Sequence, residues 1–227
     1  MNVSGPIRLT QHEFEQLIEQ CPASYGPIDR CYLSRSLEVV CDMLDHHPRV
    51  CAMRIDLRFA NESLESDIDS LVCMQRSDPA VITRFFESLK SQLREEHYRK
   101  GYRGDPALPA YIWCRERDTG PYPHYHLVLL FNKDRYAYLG NYTDPDAVNM
   151  ATRIQRAWCS ALQLPYPDNA PLVHFPPNHT YRFDRVSAAL RDTDYTSFLI
   201  RLAYLSKLAT KDIGDGRRNF GCSQCIG

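Results

Sequence analysis

Residues Tyr111-Ile-Trp-Cys-Arg-Glu-Arg-Asp-Thr-Gly-Pro-Tyr-Pro-His-Tyr-His-Leu-Val-Leu-Leu-Phe-Asn132 decide how this chain is read. His124 and His126 are separated by one bulky residue and run into an apolar stretch over 127–131. Successive side chains on a strand point to opposite faces, so both imidazoles emerge on the same side of a sheet. The turn-forming cluster 118–121 supplies a loop just before them. Two neutral imidazoles fixed on a rigid strand are the beginning of a metal site.

A third ligand is available in the hairpin partner. The run 111–115 is aromatic-rich and extended, and Ile112, Cys114 and Glu116 share one face. Folding this strand back through a loop of about seven residues places Glu116 beside His124 across the ladder. His, His and one carboxylate, with positions left open, suit a divalent cation that must also accept a phosphate oxygen. His174 and His179, flanked by prolines downstream, compete with Glu116 for the third position. The alternative is a pair of ordinary half-buried histidines beside a solvated carboxylate.

The chain has 227 residues, 44% of them hydrophobic and 24% charged, as in ordinary globular proteins. Its formal net charge is -1, so no bulk electrostatic pull toward nucleic acid exists; any such role must come from a local surface. No apolar run approaches the ~18 residues a membrane span needs, and no basic-then-apolar leader opens the sequence. Nine scattered cysteines, an odd number, fit reduced thiols, so a bacterial cytoplasm is the expected location. Cys222 and Cys225 look like half a zinc knuckle, but no second pair has matching spacing.

Periodicity predicts a helix over 9–20 and a second over 29–45, giving an N-terminal helical extension, 1–47. The main domain, 48–227, opens with a strand over 50–59, where apolar residues alternate with Arg54, Asp56 and Arg58. A helix from Asp78-Pro79 to about residue 100, the strand pair, a helix over 145–162 and a short strand over 172–175 follow. The order β-α-β-β-α-β is the ferredoxin-like, split βαβ pattern of an α+β fold: an antiparallel sheet with helices on one face. The other face is expected to stay open and to present His124 and His126.

A last helix is predicted over 194–211. Phe198, Leu202, Leu205 and Ala209 form its packing stripe, and Tyr204 falls on the opposite side with Arg201, Lys207 and Lys211. Tyr195 is half a turn out of phase with that face. As a nucleophile, a phenol with a reference pKa of about 10 needs help, which a metal ion and Lys207 would give.

A His-hydrophobic-His strand, an upstream acidic residue and a later Tyr-x-x-Lys resemble the HUH endonucleases, which include rolling-circle initiators, relaxases and some transposases. More narrowly, the chain from Arg30 onward resembles the YagK/YfjJ C-terminal domain family, grouped with the gene-II-like replication proteins of inoviruses. The resembling passages are His47-Pro-Arg-Val-Cys-Ala-Met-Arg-Ile-Asp-Leu-Arg58, Trp113-Cys-Arg-Glu-Arg-Asp118, His124-Tyr-His-Leu-Val-Leu-Leu-Phe-Asn-Lys133, Leu202-Ala-Tyr-Leu-Ser-Lys207 and Gly216-Arg-Arg-Asn-Phe-Gly221.

The resemblance implies that His124 and His126 hold Mg²⁺ or Mn²⁺, with Tyr204 as nucleophile and Lys207 as its basic companion; the third ligand is not settled by it, and Glu116 is the first choice on hairpin register. It implies nicking and rejoining of single-stranded or origin-like DNA through a 5′-phosphotyrosine, initiating rolling-circle replication of a phage, prophage or related element. Arg201, Lys211, Arg217 and Arg218 are then candidates for gripping the DNA backbone. No Walker-type loop occurs, so unwinding would require a host helicase. Two rivals remain: a hydrolytic phosphodiesterase that uses water, and a non-catalytic module stacking single strands on Tyr111, Trp113 and Tyr125.

Overall fold

The strand expected over 50–59 forms as β1, Arg49–Leu57, and it organises the rest of the molecule. In the computed structural model, which describes residues 6–60, 78–117, 123–211 and 214–224, the chain is an α+β protein with a six-stranded antiparallel sheet. The elements in chain order are α1 (Gln11–Glu19), α2 (Arg30–His46), β1, α3 (Val81–Arg99), β2 (Ala110–Glu116), β3 (His124–Asn132) and α4 (Met150–Leu162). There follow β4 (Val173–His174), β5 (Thr180–Asp184), α5 (Arg185–Leu190), α6 (Thr193–Ala203) and β6 (Phe220–Cys222).

The sheet order is β4-β1-β3-β2-β6, with β5 also on β1. β4 pairs with Asp56 and Leu57, and β5 with Arg49 through Met53, so the two lie end to end along one edge. Pro176 and Pro177 fall between them; proline has no amide to donate to a ladder. On the other edge, β6 pairs with residues 112–114 of β2. Gly221 is required there, because a Cβ would lie 2.6 Å from the Trp113 indole.

Both faces of the sheet are covered, which corrects the expectation of one open face. Met53, Ile55, Leu57, Leu127, Leu129 and Phe131 pack against Phe85, Leu89, Ile154 and Trp158 of α3 and α4. The opposite face, with Val50, Ala52, Ile112, Val128 and Leu130, packs against Leu33, Val40 and Leu44 of α2 and Phe198 and Leu202 of α6. The reason stands in the sequence: a strand apolar at every position over 127–131 is buried on both sides, whereas one-sided strands alternate. The expected N-terminal extension is therefore part of the wall over the histidine face.

Local signals set the helix starts. Thr10 and Glu13 form a capping box on α1, and Asp29 accepts from the Tyr32 amide to cap α2. Asn149 caps α4, so that helix starts five residues later than the expected 145, and Val148 is exposed. The last helix departs most from expectation. It ends at Ala203, passes through a 3₁₀ turn over Tyr204–Ser206 and becomes extended at Lys207. Tertiary hydrogen bonds compete with helix continuation there: the Asp29 amide donates to Ser206 O at 2.7 Å and the Leu208 amide to Pro27 O at 2.9 Å. No helix among the described residues is long and apolar enough to cross a membrane. The turn expected over 118–121, the polar loop after β1 and Cys225 lie outside the described residues.

Candidate active site

β1 ends, β2 ends and β3 begins at the same end of the sheet. Across these strands Cys114 faces His126, His126 faces Asp56, and Asp56 faces His174, while Glu116 faces His124 in the next row. Directly opposed residues share a face, here the one walled by α2 and α6. Ligand atoms of Glu116, His124 and His126 all lie within 4.8 Å of one another, so this group could hold a metal ion.

The imidazole pair is held in a defined orientation. His126 Nδ1 lies 2.6 Å from Asp56 Oδ1. With a proton on Nδ1 donated to the carboxylate, Nε2 carries the lone pair. That Nε2 lies 3.0 Å from His124 Nε2 and 3.3 Å from Glu116 Oε2. Burial and the neighbouring His126 push the His124 pKa down to about 4, so this ring is neutral at pH 7. Two nitrogens this close share either a proton or a cation. The donor set thus fits a metal ion.

The carboxylates are charged and heavily paired. Burial raises the pKa of Asp56, but the hydrogen bond from His126 and the Arg54 charge outweigh it and hold the group well below the usual carboxylate range. Glu116 is 1% exposed; burial again opposes ionisation, and His126, Lys211 and Lys207 overcome it. Lys207 Nζ lies 3.0 Å from Glu116 Oε2, and Lys211 Nζ 3.0 Å from Oε1. Lys207 and a metal ion held by the histidines would therefore draw on the same Glu116 oxygen, the one nearest His126. Cys114 donates to Glu116 Oε1 at 3.4 Å, and burial pushes its thiol up to about 12, so it stays protonated.

Tyr204 belongs to the same cluster. Its ring centroid is 5.3 Å from that of His126, edge to face, and Lys207 Nζ donates to its hydroxyl at 2.7 Å. Burial lowers the Lys207 pKa, but Tyr204 and Glu116 more than reverse this, so the pKa is raised and Lys207 is an ammonium. Arg54, ion-paired with Asp56, lies with its guanidinium carbon 5.7 Å from the Tyr204 ring centroid. Tyr204 itself is still helical, so its direction follows from α6; the 3₁₀ turn and the extended Lys207 redirect only the chain beyond it, where Lys207 and Lys211 reach Glu116.

The other expected positions divide. Lys211, expected on a DNA-facing surface, is instead buried and donates to Glu116 and to Leu205 O at 3.0 Å. Arg201 is half-buried and donates to Pro177 O at 2.9 Å. Arg217 is half-buried and Arg218 exposed, beside Asp215, which Arg115 binds at 2.5 Å. His174 turns Nδ1 to Asp56 Oδ2 at 3.3 Å, and His179 pairs with Thr180 Oγ1 at 2.7 Å; neither joins the Glu116 group. The sheet does not offer Tyr111, Trp113 and Tyr125 for stacking: Tyr111 already stacks on Phe86 at 3.7 Å, and Trp113 and Tyr125 are buried. From the sequence, Asp56 on the first strand could either touch the site or orient a neighbouring arginine; the structure shows both, with His126 and Arg54 as its partners.

Comparison with known proteins agrees over nearly the whole chain. The family model for the YagK/YfjJ C-terminal domain matches residues 10–223. The uncharacterized protein YagK of Escherichia coli (strain K12) is 39% identical over 197 residues, covering 85% of this chain and 92% of that protein. The uncharacterized protein YfjJ of the same strain is 34% identical over 207 residues, covering 89% and 98%. No solved structure matches. The chain belongs to the YagK/YfjJ C-terminal domain family.

Proposed function

We propose that this chain is an HUH-type DNA strand transferase. It nicks and rejoins single-stranded or origin-like DNA through Tyr204 and so initiates rolling-circle replication of a phage, prophage or related mobile element. One observation carries the reading: the Tyr204 ring lies 5.3 Å from the His126 ring, and one ammonium, Lys207, bridges the phenol and Glu116. The order β4-β1-β3-β2, with α3 and α4 as crossovers on one face, supports a ferredoxin-like core.

In this reading Tyr204 Oη bonds to the scissile phosphorus and loses its proton to water. The bond from phosphorus to the 3′ oxygen breaks, and that oxygen takes a proton back from water and leaves as a hydroxyl. Phosphodiester energy is kept in the tyrosyl ester, so a 3′-hydroxyl can reverse the step and join ends. Lys207 already donates to the phenol oxygen and is placed to offset negative charge that develops there during attack. Asp56 holds the His126 tautomer, and Arg54 adds positive charge beside the Tyr204 ring. A Mg²⁺ or Mn²⁺ ion held by His124, His126 and Glu116 would withdraw charge from the phosphate oxygens. Arg201, Arg217 and Arg218 remain candidates for backbone contact, with DNA delivered by a helicase of the host.

The test is a labelled oligonucleotide carrying the nick site, incubated with Mn²⁺ and the protein. The parent chain yields a protein-linked product, and Tyr204→Phe yields none. Cleavage without any protein-linked product would point to hydrolysis by water and overturn the nucleophile assignment.

A further inference from the structure

The far end of the sheet carries a second feature that the nicking chemistry does not use. β3 runs from the active site at His124 to Asn132, about 27 Å away at the rise of an extended strand. There, Tyr98, Tyr102 and Tyr138 are 67%, 42% and 75% exposed. Exposed tyrosines in a group need a reason, because their rings are normally at least half-buried.

Two of these rings, Tyr102 and Tyr138, lie against guanidinium groups. Arg135 places its guanidinium carbon 3.7 Å from the Tyr102 ring centroid, and Arg182 places its own 4.8 Å from that of Tyr138. Arg182 is anchored by donating Nε to Ala137 O at 2.8 Å. Among the described residues, neither arginine meets a carboxylate within ion-pair distance. Two acids close to this surface are already paired: Asp134 with Arg49 at 2.7 Å, and Glu96 with Lys100 at 2.7 Å and Arg153 at 3.0 Å. Arg135 and Tyr138 share one short loop, with Tyr136 between them packed inward on Phe131. The surface therefore sets exposed tyrosine rings beside guanidinium groups that hold no carboxylate at ion-pair distance among the described residues.

We infer that Tyr102, Arg135, Tyr138 and Arg182 form a stacking platform for single-stranded DNA, separate from the active site. Bases stack on the aromatic and guanidinium planes, and the arginines neutralise the backbone. Every base has a π face, so the platform accepts strands with little sequence preference. The choice of DNA over RNA rests on the proposed function; the stacking chemistry does not.

The experiment measures fluorescence anisotropy of labelled oligothymidylate with the full chain as Tyr204→Phe, in chelator, which removes metal and covalent chemistry from the readout. Tyr102→Ala and Tyr138→Ala are each expected to weaken binding at least about fivefold. Arg135→Gln with Arg182→Gln lowers affinity and flattens the salt dependence. With an abasic oligomer the tyrosine variants bind like the parent, because only stacking has been removed. Unchanged thermal midpoints show that the variants fold. Affinities of the tyrosine variants within twofold of the parent on oligothymidylate, or stronger binding to an oligoribouridylate, would overturn the proposal. Loss of the platform leaves adduct formation on a short substrate intact, and loss of the tyrosyl adduct leaves the platform intact, so the two readings fail separately.

Discussion

Asp56 Oδ1 lies 2.6 Å from His126 Nδ1, across the β1–β3 ladder, and this contact turns His126 Nε2 toward His124 and Glu116. An asparagine at position 56 keeps the volume but not the charge that fixes the tautomer. Asp56→Asn is expected to weaken Mn²⁺ binding about 10–100-fold, as for carboxylates that orient metal-bound histidines. Titration calorimetry checks this. Asp56→Ala should also destabilise the fold, since it strips the buried Arg54 of its ion-pair partner, at a cost of about 3–5 kcal/mol.

Lys207 competes with a metal ion for Glu116 Oε2 while it also serves the Tyr204 phenol. Lys207→Gln should therefore bind Mn²⁺ more tightly than the parent and yet form the DNA adduct more slowly. Calorimetry and single-turnover adduct formation measure the two halves. Weaker metal binding in this variant would show that the ammonium supports the metal site and does not oppose it.

The His124 pKa, pushed down to about 4, gives the metal-free protein a pH dependence with a definite sign. The unfolded chain takes up a proton on this ring near its ordinary 6.5, the folded chain only near 4, so the unfolded state binds more protons between them. The stability contribution is complete above about pH 6.5 and is lost as pH falls toward 4. His47 and His179 are also lowered by burial, and Asp56 and Glu116 add losses at lower pH still. Denaturant midpoints in chelator, compared between the parent and His124→Asn from pH 7.5 to 5, isolate the His124 share. The variant should show the shallower decline.

How much of this was legible follows from where each constraint lies. The hairpin pairing Glu116 with His124 came directly from strand alternation and a short loop, both local properties. Lys207 was legible as a partner of Tyr204, three residues away. The early end of α6 was not, because hydrogen bonds from Asp29 and Leu208 to Ser206 and Pro27 override a continuous helical pattern. For the same reason Lys211 looked solvent-facing by helical phase and is buried on Glu116. β5 and β6 were missed because they are short edge strands whose partners are remote in sequence. The second covered face could have been read from the unbroken apolar run over 127–131.

Covering of the histidine face makes a stability prediction. Phe198 of α6 is 1% exposed and stacks on Phe183 at 4.8 Å within the core shared with α2. Phe198→Ala should cost about 3–5 kcal/mol in urea unfolding. A cost below about 1 kcal/mol would mean that α6 does not close this face.

The most direct measurement is peptide mapping of the adduct formed with a nick-site oligonucleotide in Mn²⁺. Tryptic cleavage after Arg201 and Lys207 releases Leu202-Ala-Tyr-Leu-Ser-Lys207, which contains a single tyrosine. Nicking through the final helix predicts that this peptide carries the mass of the 5′-phosphorylated product fragment. An adduct on a peptide holding any other tyrosine, or cleaved DNA with this peptide unmodified, contradicts it.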